Sequence, residues 1–343
     1  MAKREFGIFD HMERRKGEEI ADLFEGRLKF LEAADAAGVR TYHLAEHHAT
    51  PLGMAPSPSV FLSSVAQRTQ NIRFGPLLYI TPLYEPLRLI EEIGMLDHLS
   101  NGRFELGVGR GASPYELAYY NVPFLESKYM FEESIEVLRK GLREPRLNHK
   151  GEKYIYRDVA METPPLQQPN PPFWFGAFSP PNAQFAGKLG MNAVCGGTNK
   201  MVHDLKAIYD EAREDARGTE RDLNPQVDKP VFGAFRHCYV GETDAEADTI
   251  AKPAYKKYYD NLMKLWRDFN STNTLFTGDI DEAKSYDVAI SGSPETVRAE
   301  VERYFEESGT DYMVLAFCWG SLSQEQSDRS FELFAKEVMP HFT

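Results

Sequence analysis

The chain has few cysteines, no long apolar run and no surplus of positive charge, and each shortage removes a class of function. Cys195, Cys238 and Cys318 are the only thiols in 343 residues. They lie far apart, each near the end of an apolar run, which describes small buried hydrophobes rather than a disulfide framework or a metal cluster. No apolar stretch approaches the roughly eighteen residues that a membrane helix needs. Met1-Ala2-Lys3-Arg4 leads into Phe6-Gly7-Ile8-Phe9 without a signal-type apolar core, so a soluble, cytoplasmic protein is expected. Lys and Arg number 39 against 52 Asp and Glu, a net charge of -13, which leaves no basic stripe for nucleic acid or an anionic membrane. A small molecule is the expected partner. No Ser/Gly-rich linker divides the chain, and 42% hydrophobic residues suffice for a full core, so residues 1–343 read as a single domain.

What is present is an alternation of strand-like and helix-like segments. Glu5 to Phe9 reads as a strand. A helix follows from about Glu18, with Ile20, Leu23, Phe24, Leu28, Leu31 and Ala34 at three- and four-residue intervals and Gly38 past its end. Arg40 to Ala45, Ile72 to Tyr79, Phe104 to Val108, Phe173 to Phe175, Asn192 to Cys195, Val231 to Val240 and Tyr312 to Phe317 supply seven further strands with helical patterns between them. Two stretches interrupt the order. Residues 144–172, rich in Pro, Gln and Asn, read as an insertion carrying a hairpin around Tyr154 and Ile155, and 270–290 reads as a polar mobile loop. Eight strands alternating with helices predict an α/β fold, a TIM (β/α)8 barrel with insertions at the strand carboxyl ends, in preference to a doubly wound open sheet.

In such a barrel, active sites lie at the carboxyl ends of the strands. Glu46-His47-His48 follows the second strand, where a carboxylate and two imidazoles suit proton transfer. His43 and His47 stand four apart, which on a helix would be zinc spacing on one face, but on a strand it is not, and no third ligand cluster accompanies them. No metal is expected. The bland alternative is a set of hydrogen-bonded polar residues capping the strand.

Two further motifs suit a phosphorylated cofactor. Gly107-Val108-Gly109-Arg110-Gly111 follows the fourth strand, yet fails the dinucleotide fingerprint because Ala112 stands where its third glycine belongs. It reads either as backbone open to a bulky ligand, with Arg110 aimed at an anion, or as a tight barrel-top turn. Phe178-Ser179-Pro180-Pro181-Asn182-Ala183 opens a helix, with Ser179 as N-cap and Pro180 first. Helix starts favour phosphate, but two prolines remove two donors. That leaves the N–H groups of Asn182 and Ala183, the Ser179 hydroxyl, and cations such as Arg110 and Lys128.

Together these residues resemble the bacterial luciferase family of flavin-dependent monooxygenases over nearly the whole chain. The likeness is carried by Glu46-His47-His48, by Leu96-Asp97-His98-Leu99-Ser100-Asn101-Gly102-Arg103-Phe104 before the fourth strand, by Phe178 to Asn182, and by Phe331 to Val338-Met339-Pro340 in the last helix. The resemblance implies a TIM barrel binding FMN as FMNH2, delivered by a separate NAD(P)H flavin reductase, which uses dioxygen to oxygenate a small organic substrate. Carried over, His47 matches the catalytic histidine, Arg110 and Lys128 basic phosphate ligands, and Ser179 and Asn182 further phosphate ligands beside Phe178. Leu77 and Leu78 match a position beneath the flavin ring that holds a cis peptide in the luciferase subunit. A homodimer is also implied. Gly109 replaces a reactive cysteine and Asn182 a threonine of that subunit, so light emission is not expected. The family also contains deazaflavin-dependent oxidoreductases that do not activate oxygen, and non-catalytic flavin-binding proteins; these are the alternatives.

Overall fold

The computed structural model describes residues 3–272 and 276–343. In chain order the first half comprises β1 Glu5–Asp10, α1 Ile20–Ala37, β2 Thr41–Leu44, α2 Pro58–Arg68, β3 Arg73–Pro76, β4 Tyr79–Ile80, α3 Pro86–Leu99, β5 Leu106–Gly109, α4 Pro114–Tyr119 and α5 Phe124–Arg143. The second half comprises β6 Arg146–Lys150, β7 Ile155–Ala160, β8 Phe173–Gly176, α6 Pro180–Lys188, β9 Asn192–Cys195, α7 Asn199–Ala216, β10 Phe232–Val240 and α8 Asp244–Leu262. It ends with α9 Lys264–Asp268, α10 Ile280–Ser285, β11 Ala289–Gly292, α11 Pro294–Ser308, β12 Tyr312–Ala316 and α12 Gln324–Leu333.

The helix ends follow local chemistry. Gly38 and Gly309 take left-handed φ values of 85° and 66° to terminate α1 and α11, a conformation that costs a glycine nothing. Ser293 and Ser179 cap α11 and α6, each followed by a proline in the first turn, where the missing N–H is no loss.

The main sheet runs β3-β2-β1-β12-β10-β9-β8-β5-β4. β3 and β4, at opposite ends of that order, are two pieces of one strand separated only by the cis Leu77-Leu78 bond. An isolated parallel bridge from Phe74 to Phe104 helps bring the sheet round on itself as a barrel. Pairings within it are parallel, for example Gly7↔Thr41 and Gly7↔Val314. The lower half of β10 pairs with β12, and its upper half, His237 to Val240, pairs with β11.

Two apolar layers hold the barrel. Outside, Phe6, Leu31, Leu62, Phe74, Ile93, Leu138 and Met313 pack between sheet and helices. Inside, Trp174, Val194, Tyr312 and Val314 fill the lower barrel, with Leu77, Leu78, Phe9 and Phe235 packed with them. His43 belongs to this interior. It is 1% exposed, its Nε2 lies 2.8 Å from the Tyr312 hydroxyl, and its burial and partner give it a structural role.

Several expectations need correction. The stretch 270–290 is not a structureless loop: α10 and the start of β11 lie within it, while its residues 273–275 fall outside the described residues. The strand expected over Ile72 to Tyr79 is broken at Leu77. The glycines of Gly107-Val108-Gly109 are not open to a ligand. A Cβ on Gly107 would collide with the Pro76 carbonyl and one on Gly109 with the Leu78 side chain, so these glycines admit the broken strand beside them. The insertion at 144–172 does carry its hairpin, β6 against β7. No helix among the described residues is long and apolar enough to cross a membrane.

Candidate active site at the barrel mouth

β2 ends at Leu44 and the chain runs out through Ala45, Glu46, His47 and His48 at the carboxyl end of the sheet. His47 keeps 24% of its side chain exposed, whereas Glu46 and His48 are buried. His47 Nδ1 lies 3.1 Å from Glu116 Oε1, and the same oxygen accepts the His48 N–H at 2.7 Å. Glu116 stands in the first turn of α4, whose N-cap Ser113 accepts the Glu116 N–H at 3.3 Å. The cap fixes the helix start, and the helix start aims the carboxylate.

The side chains of Glu46 and His48 make no hydrogen bond to His47; they build a second network. Glu46 Oε1 is 2.9 Å from His48 Nε2, Glu46 Oε2 accepts the Ile80 N–H at 2.9 Å, and His48 Nδ1 is 2.8 Å from the Tyr120 hydroxyl. The residue that orients His47 is therefore Glu116, which the sequence reading did not single out. Its signal was Ser113-Pro114-Tyr115-Glu116, a capped helix start with a carboxylate at the third helical position.

The two carboxylates are tuned in opposite directions. Burial alone would push Glu116 up, but hydrogen bonds from His47 and the His48 N–H, with the charges on both imidazoles, hold it below the usual carboxylate range. Glu46 is raised: burial outweighs its bonds to His48 and the Ile80 N–H. An ionised Glu116 at Nδ1 selects the tautomer with hydrogen there and leaves Nε2 of His47 as the acceptor nitrogen.

On the other side of the mouth, β8 leads through Ala177 to Phe178 and Ser179. Ser179 Oγ accepts the Asn182 N–H at 3.4 Å, and the Ala183 N–H is taken by the Ser179 carbonyl at 2.9 Å. Neither N–H is thus a free donor, contrary to the sequence reading. Phe178 is 51% exposed, and its ring lies 3.1 Å from where a Cβ would stand on Gly176 and on Gly196. Both glycines make room for it. Arg110 follows β5, the strand next to β8, and its guanidinium lies 4.7 Å over Phe124. Among the described residues it makes no ion pair, which is the condition of a cation awaiting an anion. Lys128 lies on α5 with 64% of its side chain exposed and, among the described residues, Glu132, 3.9 Å away, as its ion-pair partner. Leu77 and Leu78 sit at the cis bond, packed with Phe9 and Phe235.

A parallel barrel with a carboxylate-held histidine at its mouth defines an enzyme of the β/α-barrel class. The chain belongs to the luciferase-like monooxygenase family, whose model matches residues 5–312. It is 27% identical to the oxygenase component of a flavin-dependent trigonelline monooxygenase from Acinetobacter baylyi, covering 98% of this chain and 95% of that one. The structure matches monooxygenase RslO1 from Streptomyces bottropensis with a TM-score of 0.86 at 25% identity, covering 99% of this chain and 100% of that one. It also matches the oxygenating constituent of 3,6-diketocamphane monooxygenase from Pseudomonas putida, a type II Baeyer-Villiger enzyme in complex with FMN, with a TM-score of 0.79 at 22% identity and 99% of each chain covered. The family assignment bears out the resemblance, and the barrel bears out the expected fold.

Proposed function

We propose that this oxidoreductase is the oxygenase component of a two-component system, taking FMNH2 from a separate NAD(P)H flavin reductase and using dioxygen to oxygenate a small organic substrate without light emission. The observation that carries the reading is His47, partly exposed at the mouth and held at Nδ1 by Glu116. The relatives named above support the flavin and the separate reductase, since one is an oxygenase component and one holds FMN.

The residues present fit FMN. Arg110, unpaired among the described residues, and the capped start of α6 offer an anion its charge and its dipole. Arg110, Lys128, Ser179 and Asn182 would hold the phosphate, with Phe178, Leu77 and Leu78 around the ring system. Bound there in reduced form, FMN supplies the electrons for oxygen activation. His47 exchanges a proton through Nε2 while Glu116 keeps the ring oriented, and the aromatic side chains over the barrel core exclude water.

A homodimer and a cytoplasmic location belong to the same reading. Val60 on α2 and Met95 and Leu99 on α3 leave large apolar side chains exposed on two packed helices, and sedimentation at twice the chain mass is the expected result. The function is tested by supplying a flavin reductase, FMN and NADH and screening small organic compounds. Oxygen uptake with substrate-dependent loss of hydrogen peroxide release is expected; no uptake with FMNH2 present would point instead to a deazaflavin enzyme or a non-catalytic binder.

A further inference from the structure

α4 is too short to orient itself. It spans Pro114–Tyr119, six residues, whereas a helix alone needs roughly twelve to fifteen to persist in water, so contacts on its faces decide its rotation. Leu117, fully buried with Ile80 and Val122, sets its depth. Successive residues of a helix stand about 100° apart, and residues four apart share a face. On one face Glu116 reaches His47 and the His48 N–H, and Tyr120, just past the last turn, reaches His48 Nδ1. On the adjacent face Tyr115 and Tyr119 reach α9 instead.

Tyr115 lies flat against Phe269, with ring centroids 4.4 Å apart and planes 9° from parallel, and meets Trp266 edge-on at 5.6 Å. Tyr119 adds a tilted contact with Phe269 at 6.1 Å. Phe269 and Tyr119 are each 47% exposed, so these rings add little to a core; what they do is join α4 to α9. The far side of the join is fixed. α9 follows α8 after Met263 alone, and its Leu265 is buried. The end of α8 is tied to the mouth, where the Asn261 amide donates to Glu13 Oε1 at 3.2 Å and the Asn261 carbonyl accepts the Thr50 hydroxyl at 3.4 Å. A rotation of α4 that parted Tyr115 from Phe269 would swing Glu116 through the same angle. A displacement of about 1 Å already breaks a hydrogen bond of the length that joins Glu116 to His47.

We propose that Tyr115, Trp266 and Phe269 form an aromatic latch that holds α4 in the rotation at which Glu116 meets His47, so that Tyr115 and Phe269 are positioning residues for that histidine. This rests on the reading of His47 as the proton-exchanging group, but its first test is a spectrum. On the full chain, the imidazole nitrogen resonances of His47, assigned by their loss in His47→Ala, report which nitrogen carries hydrogen. The ratio of the Nδ1–H form to the Nε2–H form should fall about twofold to tenfold in Phe269→Ala, the usual worth of an aromatic pair, and recover in Phe269→Tyr, which keeps the ring. With FMNH2, dioxygen and an oxygenated substrate, kcat should fall by a similar factor with KM little changed. In a Glu116→Gln background the same substitution should add less than about twofold, since the latch acts through that carboxylate. An unmoved ratio in a folded Phe269→Ala, no recovery in Phe269→Tyr, or a kcat loss that adds in full to that of Glu116→Gln would each overturn the proposal. A shifted ratio in a chain that oxygenates nothing would instead leave the latch standing and remove the monooxygenase reading.

Discussion

At the scale of single residues the proposed mechanism makes His47 depend on a carboxylate distant in sequence, Glu116. Glu116→Gln should keep a hydrogen-bonding side chain near His47 but remove the charge that fixes its tautomer. Steady-state kinetics should then show kcat for oxygenation lower by about tenfold to a hundredfold with little change in FMN affinity. Glu13 offers a separate test at the same scale. It is buried and pushed up to about 7, by burial first, against the opposing bonds from the Gly320 N–H and the Asn261 amide. A carboxylate raised in the folded state contributes stability that is complete below its unfolded value and is lost as pH rises through about 7. Glu13→Gln should therefore raise the melting temperature at pH 8, by an amount equivalent to at most about 3 kcal/mol, and leave it nearly unchanged at pH 4.5. A gain that is equal at both pH values contradicts that coupling. The place of His47 at a strand's carboxyl end was legible in the sequence because a short strand bounded by Gly38 and Pro51 precedes it. Glu116 was not, because its contact with His47 spans 69 residues and depends on how two strand ends are juxtaposed.

At the scale of elements, short apolar runs bounded by breakers made the eight barrel strands readable, since buried parallel strands are uniformly apolar. The short pieces were not. α4 and α10 each span six residues, too few for a helical period to emerge, and β11 reads only Ala289-Ile290-Ser291-Gly292. The break at Leu77-Leu78 left no mark in composition, although the glycines opposite it did. Gly109→Cys tests their reading: a side chain there meets Leu78, so denaturant unfolding should show about 1–3 kcal/mol of destabilisation. Unchanged stability would return Gly109 to the ligand-facing role. The motif around Asp97 and Arg103 proves structural. Asp97 accepts the Gln167 N–H and side-chain amide at 2.7 Å each, pinning the insertion, while Arg103 donates to the carbonyls of Ala66, Thr69 and Ile72.

At the scale of the whole molecule, a chain of net charge -13 repels a phosphorylated cofactor everywhere except where cations are left uncompensated. Arg110 is such a place, so Arg110→Gln should weaken FMN binding by about tenfold or more and flatten its dependence on salt, read by fluorescence quenching across ionic strengths. An unchanged affinity would move the phosphate elsewhere. In the proposed arrangement the cofactor's phosphate would lie on the cationic side at β5 and β8, and His47 would be the proton-exchanging group at the same mouth. The most direct test of that arrangement is His47→Ala assayed with FMNH2, dioxygen and an oxygenated substrate. FMN affinity should stay within about twofold of wild type while product formation falls a hundredfold or more, with oxygen diverted to hydrogen peroxide. Product formation at the wild-type rate would contradict the account.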